Sequence, residues 1–149
     1  MIHLISIENS SQLLESSTVF YRIISKIADD SYFWHLQGEL DAYEASGFGI
    51  NVFKKDSYSN EELKEIFDKS PYIIFATFLA AKENIDLRVR SFNDFIESQY
   101  FLAFSIYDDA YGMILVKDDE MYQRVLDICK ETKDIIISDI DVKQKYWEW

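Results

Sequence analysis

The chain has 149 residues, with 27 Asp and Glu against 15 Lys and Arg, for a formal net charge of −12. That length supports one domain with its own hydrophobic core. An apolar share of 48% with a single Pro and four Gly excludes disordered, collagen-like and linker-rich chains, and two His with one Cys cannot complete a zinc site from those residues alone.

Residues 2–7 (Ile-His-Leu-Ile-Ser-Ile) are mostly apolar on both alternating faces, the pattern of an interior strand. Asn9 with Gln12 resembles a capping box, and Leu13, Ser17, Phe20, Ile24 and Ile27 follow helical spacing. The spacing predicts a helix ending near Ala28, with a start as late as Ser17. Residues 31–36 form an aromatic strand candidate, Gln37-Gly38-Glu39 a turn, and residues 40–43 a return strand, together a hairpin. Residues 50–53 are a short strand candidate and 54–58 a polar connection. Ser59-Asn60-Glu61-Glu62 is a capping box with early acids, Leu63, Ile66 and Phe67 form an apolar stripe, and Ser70-Pro71 stops the helix.

Residues 72–79 are apolar on both faces and suit a central strand. Ser91-Phe92-Asn93-Asp94 opens a short helix that would turn Phe92, Phe95 and Ile96 inward. Residues 100–107 and 111–116, joined through Asp108-Asp109-Ala110, give the strongest hairpin signal in the chain. Asp118 or Asp119 caps a helix whose apolar stripe holds Met121, Val125 and Cys129. Residues 135–137 read as a late strand, and 142–149 as a strand, a short helix or a loose tail. Adjacent hairpins without continuous βαβ repetition predict one α+β domain, a mixed, mainly antiparallel sheet with packed helices.

The acidic balance repels phosphate backbones and anionic lipid, so neither direct nucleic-acid binding nor membrane docking is expected, and a basic protein is the favoured partner. The amino end lacks a basic n-region, no stretch approaches 18 apolar residues, and Cys129 has no second cysteine to pair with. A cytoplasmic setting follows as an expectation.

No dinucleotide fingerprint, phosphate loop, HExxH or GxSxG occurs, and no cofactor or metal is assigned. Cys129 lies on an apolar helix stripe and reads as a small buried hydrophobe. His35 could serve as a general base but has no sequence-local group to orient it. The aromatic content is less ordinary at 16%. Tyr32, Trp34, Tyr43, Tyr58, Tyr107, Tyr111, Tyr146, Trp147 and Trp149 are the residues expected to reach the surface or rim. Amphipathic aromatics beside acids suit a protein interface, so Trp34, Tyr43, Asp108, Asp109, Trp147 and Trp149 are the candidate partner-binding residues.

The stretches Tyr32-Phe33-Trp34-His35, Pro71-Tyr72-Ile73-Ile74-Phe75 and Ser91-Phe92-Asn93-Asp94-Phe95, with the element order and length, resemble a poorly characterised family of small acidic proteins from Bacillus-type bacteria. The resemblance implies a bacterial cytosolic origin and assigns no site residue. A second likeness, by type alone, is to toxin-neutralising immunity proteins, which are often small, acidic and α+β. The resulting expectation is a non-enzymatic protein-binding domain, in its sharpest form an acidic inhibitor or immunity protein against a basic toxin or nuclease. The alternatives are a small enzyme using His35 and carboxylates, and a nucleic-acid charge mimic or regulatory protein.

Overall fold

Alternating apolar residues in the strands and side-chain caps at the helix starts divide the chain. The computed structural model describes residues 2–9, 16–27, 31–45, 49–85, 87–108, 111–132 and 135–139. Within them lie β1 (His3–Asn9), α1 (Ser16–Ile27), β2 (Phe33–Tyr43), β3 (Ser57–Ser59), α2 (Asn60–Asp68), β4 (Tyr72–Ala81), α3 (Phe92–Glu97), β5 (Leu102–Tyr107), β6 (Tyr111–Val116), α4 (Asp119–Glu131) and β7 (Ile135–Asp139). The capping box at α2 is complete: Ser59 Oγ accepts from the Glu62 amide, and the Glu62 carboxylate accepts from the Ser59 amide. Lys55 pairs with the same carboxylate and holds it below its usual pKa. Ser91 and Asp118 cap α3 and α4 in the same manner, each accepting from the amide three residues on. Residues 142–149 lie outside the described residues.

The strands form one sheet in the order β3-β2-β4-β5-β6-β1-β7. Every described pairing is antiparallel, and with the packed helices the fold is the α+β class, with the mainly antiparallel sheet, that the sequence pattern predicts. The reason lies in the crossovers. The path through α2 carries the chain from β3 to β4 past β2, and the path through α4 carries it from β6 to β7 past β1. Each crossover skips a strand, and the returning strand lies antiparallel to the one it reaches. The 100–116 hairpin is present as β5 and β6 in direct register from Leu102↔Val116 to Tyr107↔Tyr111.

The expected hairpin over residues 31–43 is instead the single strand β2. Gly38 takes φ +76°, a conformation open to glycine, and the register shifts between Gln37 and Asp41. The glycine therefore marks a bulge, and both halves of the strand pair with β4. Of the expected strand at 50–53, Asn51 alone forms a bridge, to Tyr43, while β3 emerges within and beyond the expected polar connection.

The two faces of the sheet are covered differently. On the first face α1, α2 and α4 pack onto Trp34, Leu36, Phe78, Phe104, Ile106 and Ile114. Phe20 of α1 is the hub: its ring lies 5.3 Å from Trp34, 5.1 Å from Phe67, 4.5 Å from Phe78 and 4.6 Å from Phe104. On the second face a smaller cluster joins Leu4, Leu79, Ala103 and Leu115 to Val89, Phe95 and Tyr100. Phe95 is buried, but Ile96 is 42% exposed, so α3 turns only part of its expected stripe inward. A six-residue helix has too few turns to bury adjacent positions against one sheet face.

Truncating Phe20 to Ala removes the ring that contacts both helix and sheet partners, and should cost about 3–5 kcal/mol in urea unfolding. Cys129 is fully buried, and burial pushes its thiol pKa up to about 12. A thiol reagent at neutral pH should label it only at the rate of opening, with fast labelling restored in denaturant.

Candidate functional site

Antiparallel pairing sets side chains of neighbouring strands on a common face. At one end of the sheet it aligns Asp41 with Phe75, Phe75 with Tyr107, Tyr107 with Tyr111, and Tyr111 with Glu8. These five residues come from β2, β4, β5, β6 and β1 and form one transverse row on the second face. Tyr111 is 47% exposed, Glu8 is exposed, and Asp41, Phe75 and Tyr107 are half-buried. Phe75 and Tyr107 meet edge to face, 6.4 Å between centroids. Outward from the row the register runs through Ala42 with Ile73 to Tyr43 with Tyr72, and Asp108 follows β5 at the same end with φ +49°.

The row is acidic as well as aromatic, and no basic side chain belongs to it. The Asp41 carboxylate accepts a hydrogen bond from the Tyr43 hydroxyl and raises that phenol's pKa, because losing the proton would set two negative charges side by side. Burial raises Tyr107 likewise, partly offset by its hydrogen bond with Ser105. Beneath the row the Thr77 and Ser105 hydroxyls lie 2.9 Å apart across β4 and β5, which satisfies two buried polar groups and ties the strands together.

The sequence-predicted residues divide among several places. Tyr43 and Asp108 fall at this sheet end. Trp34 does not reach the surface: it is 1% exposed, on the first face of β2, and its Nε1 donates to Asn60 Oδ1 at 2.8 Å. Even-numbered residues of the first half of β2 face the helices, so the ring fills the core and Asn60 satisfies its polar tip. Tyr32 and Tyr58 are buried as well, 7% and 5% exposed. The Tyr58 hydroxyl accepts from the Lys54 and Lys55 amides, which gives its polar end a partner inside. Asp109, Trp147 and Trp149 lie outside the described residues. Tyr107 and Tyr111 read as surface aromatics from sequence, but their alignment with Asp41, Phe75 and Glu8 depends on strand register, which no local motif encodes.

A second place concentrates polar chemistry. His35, on the second face of β2, is 6% exposed, packs 5.8 Å from the Tyr100 ring, and has no hydrogen-bond partner at Nε2. A buried polar atom left unpaired costs about 1–3 kcal/mol. Next to it a cleft of 390 Å³ is lined by His35, Leu36, Gln37, Gly38, Asp56 and Arg88. No carboxylate among the described residues is hydrogen-bonded to His35, so no group there orients it as a general base. His3, the other imidazole, sits 2.6 Å from Asp119 and stacks on Tyr122 at 3.9 Å, and it holds Asp119 below its usual pKa. Among the described residues no three His, Cys, Asp or Glu side chains converge on a common point, and no helix is long and apolar enough to cross a membrane.

Residues 5–146 match the model of a family described as a protein of unknown function (DUF2691), and the chain belongs to that family. No curated protein and no solved structure matches it.

Replacing Asp41 by Asn should lower the Tyr43 pKa toward the ordinary tyrosine value, since the carboxylate is the largest cause of the shift. Carbon-13 labelling at tyrosine Cζ followed through alkaline titration reads this directly. An unchanged Tyr43 midpoint would show that the carboxylate does not control it.

Proposed function

We propose that this chain is a non-enzymatic protein-binding domain of the bacterial cytoplasm whose partner is a basic protein. The observation that carries the reading is the transverse row of Asp41, Phe75, Tyr107, Tyr111 and Glu8, with Tyr43 and Asp108 beside it. Tyrosine offers a large apolar face with a polar tip and only two side-chain torsions to immobilise, which suits an interface anchor. Carboxylates at the ends of the row attract Lys and Arg on the partner. A net charge of −12 adds a long-range field that steers the encounter. The sharpest form of the reading is an acidic inhibitor or immunity protein that occludes a basic toxin or nuclease. The likeness to small acidic proteins of Bacillus-type bacteria supports the setting.

The acids here flank an aromatic strip, where a mimic of nucleic-acid charge would need them in continuous succession. That arrangement favours an interface with apolar anchors over a charge mimic. The enzyme reading is less well supported, since His35 lacks an orienting carboxylate among the described residues.

The test is affinity capture from the native host, comparing wild type with Tyr111→Ala, followed by surface plasmon resonance against the recovered protein. A basic partner should associate quickly at low salt and more slowly as salt shortens the screening length toward about 8 Å. Tyr111→Ala should cost about 2 kcal/mol or more, chiefly through faster dissociation. Asp108→Asn should mainly slow association. A salt-independent association rate, or a partner equally retained by Tyr111→Ala, would defeat the reading.

A further inference from the structure

We propose that the cleft beside His35 binds a small zwitterion of the α-amino acid class, at a site separate from the aromatic row. The first observation is His35 itself. Its side chain is more than nine-tenths buried, lines the cleft, and leaves Nε2 without a hydrogen-bond partner. Folding normally pairs such an atom; Nε2 is shielded from solvent in this structure, so a molecule seated in the cleft pairs it once the imidazole ring turns toward it.

The second observation is the charge pair that shares the cleft. Arg88 and Asp56 both line it, and both are exposed. The ion pairs among the described residues join His3 to Asp119, Lys26 to Glu131, and Lys55 to Glu62, so neither Arg88 nor Asp56 is spent on one. A guanidinium and a carboxylate that line one cleft without neutralising each other match a ligand that carries the two complementary charges. Arg88 takes the ligand's carboxylate through its planar fork. Asp56 takes the ammonium group. His35, in the tautomer with hydrogen on Nε2, donates to the carboxylate.

Size and field agree with that class. The 390 Å³ volume lies at the small end of ligand sites, which run from about 300 to 1,000 Å³. A free anion approaching this protein is repelled by the net charge of −12, whereas a zwitterion carries no net charge and meets no such barrier. The wall bearing Arg88 is also fixed before any ligand arrives. Gln37 Nε2 donates to the Leu87 carbonyl at 2.6 Å, and Gln37 Oε1 accepts from the Val89 amide at 2.6 Å, so one side chain clamps the backbone on both sides of Arg88. The Leu36 amide likewise donates to the Asp56 carbonyl at 2.9 Å and fixes the backbone of Asp56.

The experiment uses the two histidines. Imidazole nitrogen–proton correlation spectra of the intact chain contain His35 and, as an internal control, His3. Each standard amino acid is titrated separately, with acetate and methylammonium as single-charge controls. At least one amino acid should shift the His35 signals saturably while His3 stays in place, and more tightly than either control. Arg88→Ala and Asp56→Asn should each weaken that binding about tenfold or more. Both residues are exposed, and unchanged His3 signals verify that the variants keep the fold. No His35 shift from any amino acid at about 10 mM, a concentration that would reveal even millimolar binding, overturns the proposal. So does acetate binding as tightly as the best amino acid with no effect of Asp56→Asn, which would mean that the cleft reads a negative charge alone.

Discussion

The packing of Phe20 against Trp34, Phe67, Phe78 and Phe104 is the contact on which the arrangement of the molecule depends. It joins α1 to α2 and both to three adjacent strands, β2, β4 and β5. Four aromatic neighbours at 4.5–5.3 Å exclude water from the middle of the domain. The buried Trp34–Asn60 hydrogen bond adds direction, because Asn60 is the first residue of α2 and its amide oxygen meets one particular indole. The large helices are thereby committed to one face of the sheet.

That commitment leaves the second face to lighter elements. α3 and the segment before it cover the half of the face near Leu4, Leu79 and Leu115. They are held by polar clamps as much as by burial. Gln37 grips residues 87 and 89, the Tyr100 hydroxyl reaches the Leu87 carbonyl at 3.2 Å, and Lys117 Nζ donates to the Ile96 and Ser98 carbonyls. Lys117 also lies over the Phe95 ring, and burial lowers its pKa. The aromatic row lies beyond this cover and the His35 cleft at its margin. A sheet padded evenly on both faces would have buried Phe75 and Tyr107 and closed the approach to His35.

Much of the fold was legible because its signals are local. The Ser59–Glu62 capping box, the Ser91 and Asp118 caps, Pro71 after α2 and the β5–β6 hairpin each follow from a few adjacent residues. The reading of β2 failed because Gly38 carries the same local signal for a turn and for a bulge. Only pairing with β4 decides between them, and β4 is a long apolar strand that templates both halves. Trp34 was misplaced for a related reason: in an aromatic strand both faces look able to be the inner one, and α1 decides which is. The site residues were least legible. Tyr107 and Tyr111 meet through the hairpin, but Asp41, Phe75 and Glu8 join them through pairings of distant strands. Arg88 comes from an irregular segment with no periodicity to announce its direction.

The bulge in β2 links these observations. Between Gln37 and Asp41 the strand takes four steps while β4 takes two, from Thr77 to Phe75. Side chains alternate with period two, so an even surplus preserves their phase. His35 and Gln37 before the bulge, and Asp41 after it, therefore all belong to the second face. A surplus of one residue would have turned Asp41 into the helix-packed core, where an unpaired carboxylate is costly, and would have set Leu40 opposite Phe75 in the row instead. The surplus backbone at Gly38 does further work, since it forms part of the wall beside His35. One local irregularity thus keeps the acidic end of the aromatic row on the solvent side and shapes the edge of the polar cleft. Both features need backbone that a regular strand of the same length would have paired and straightened.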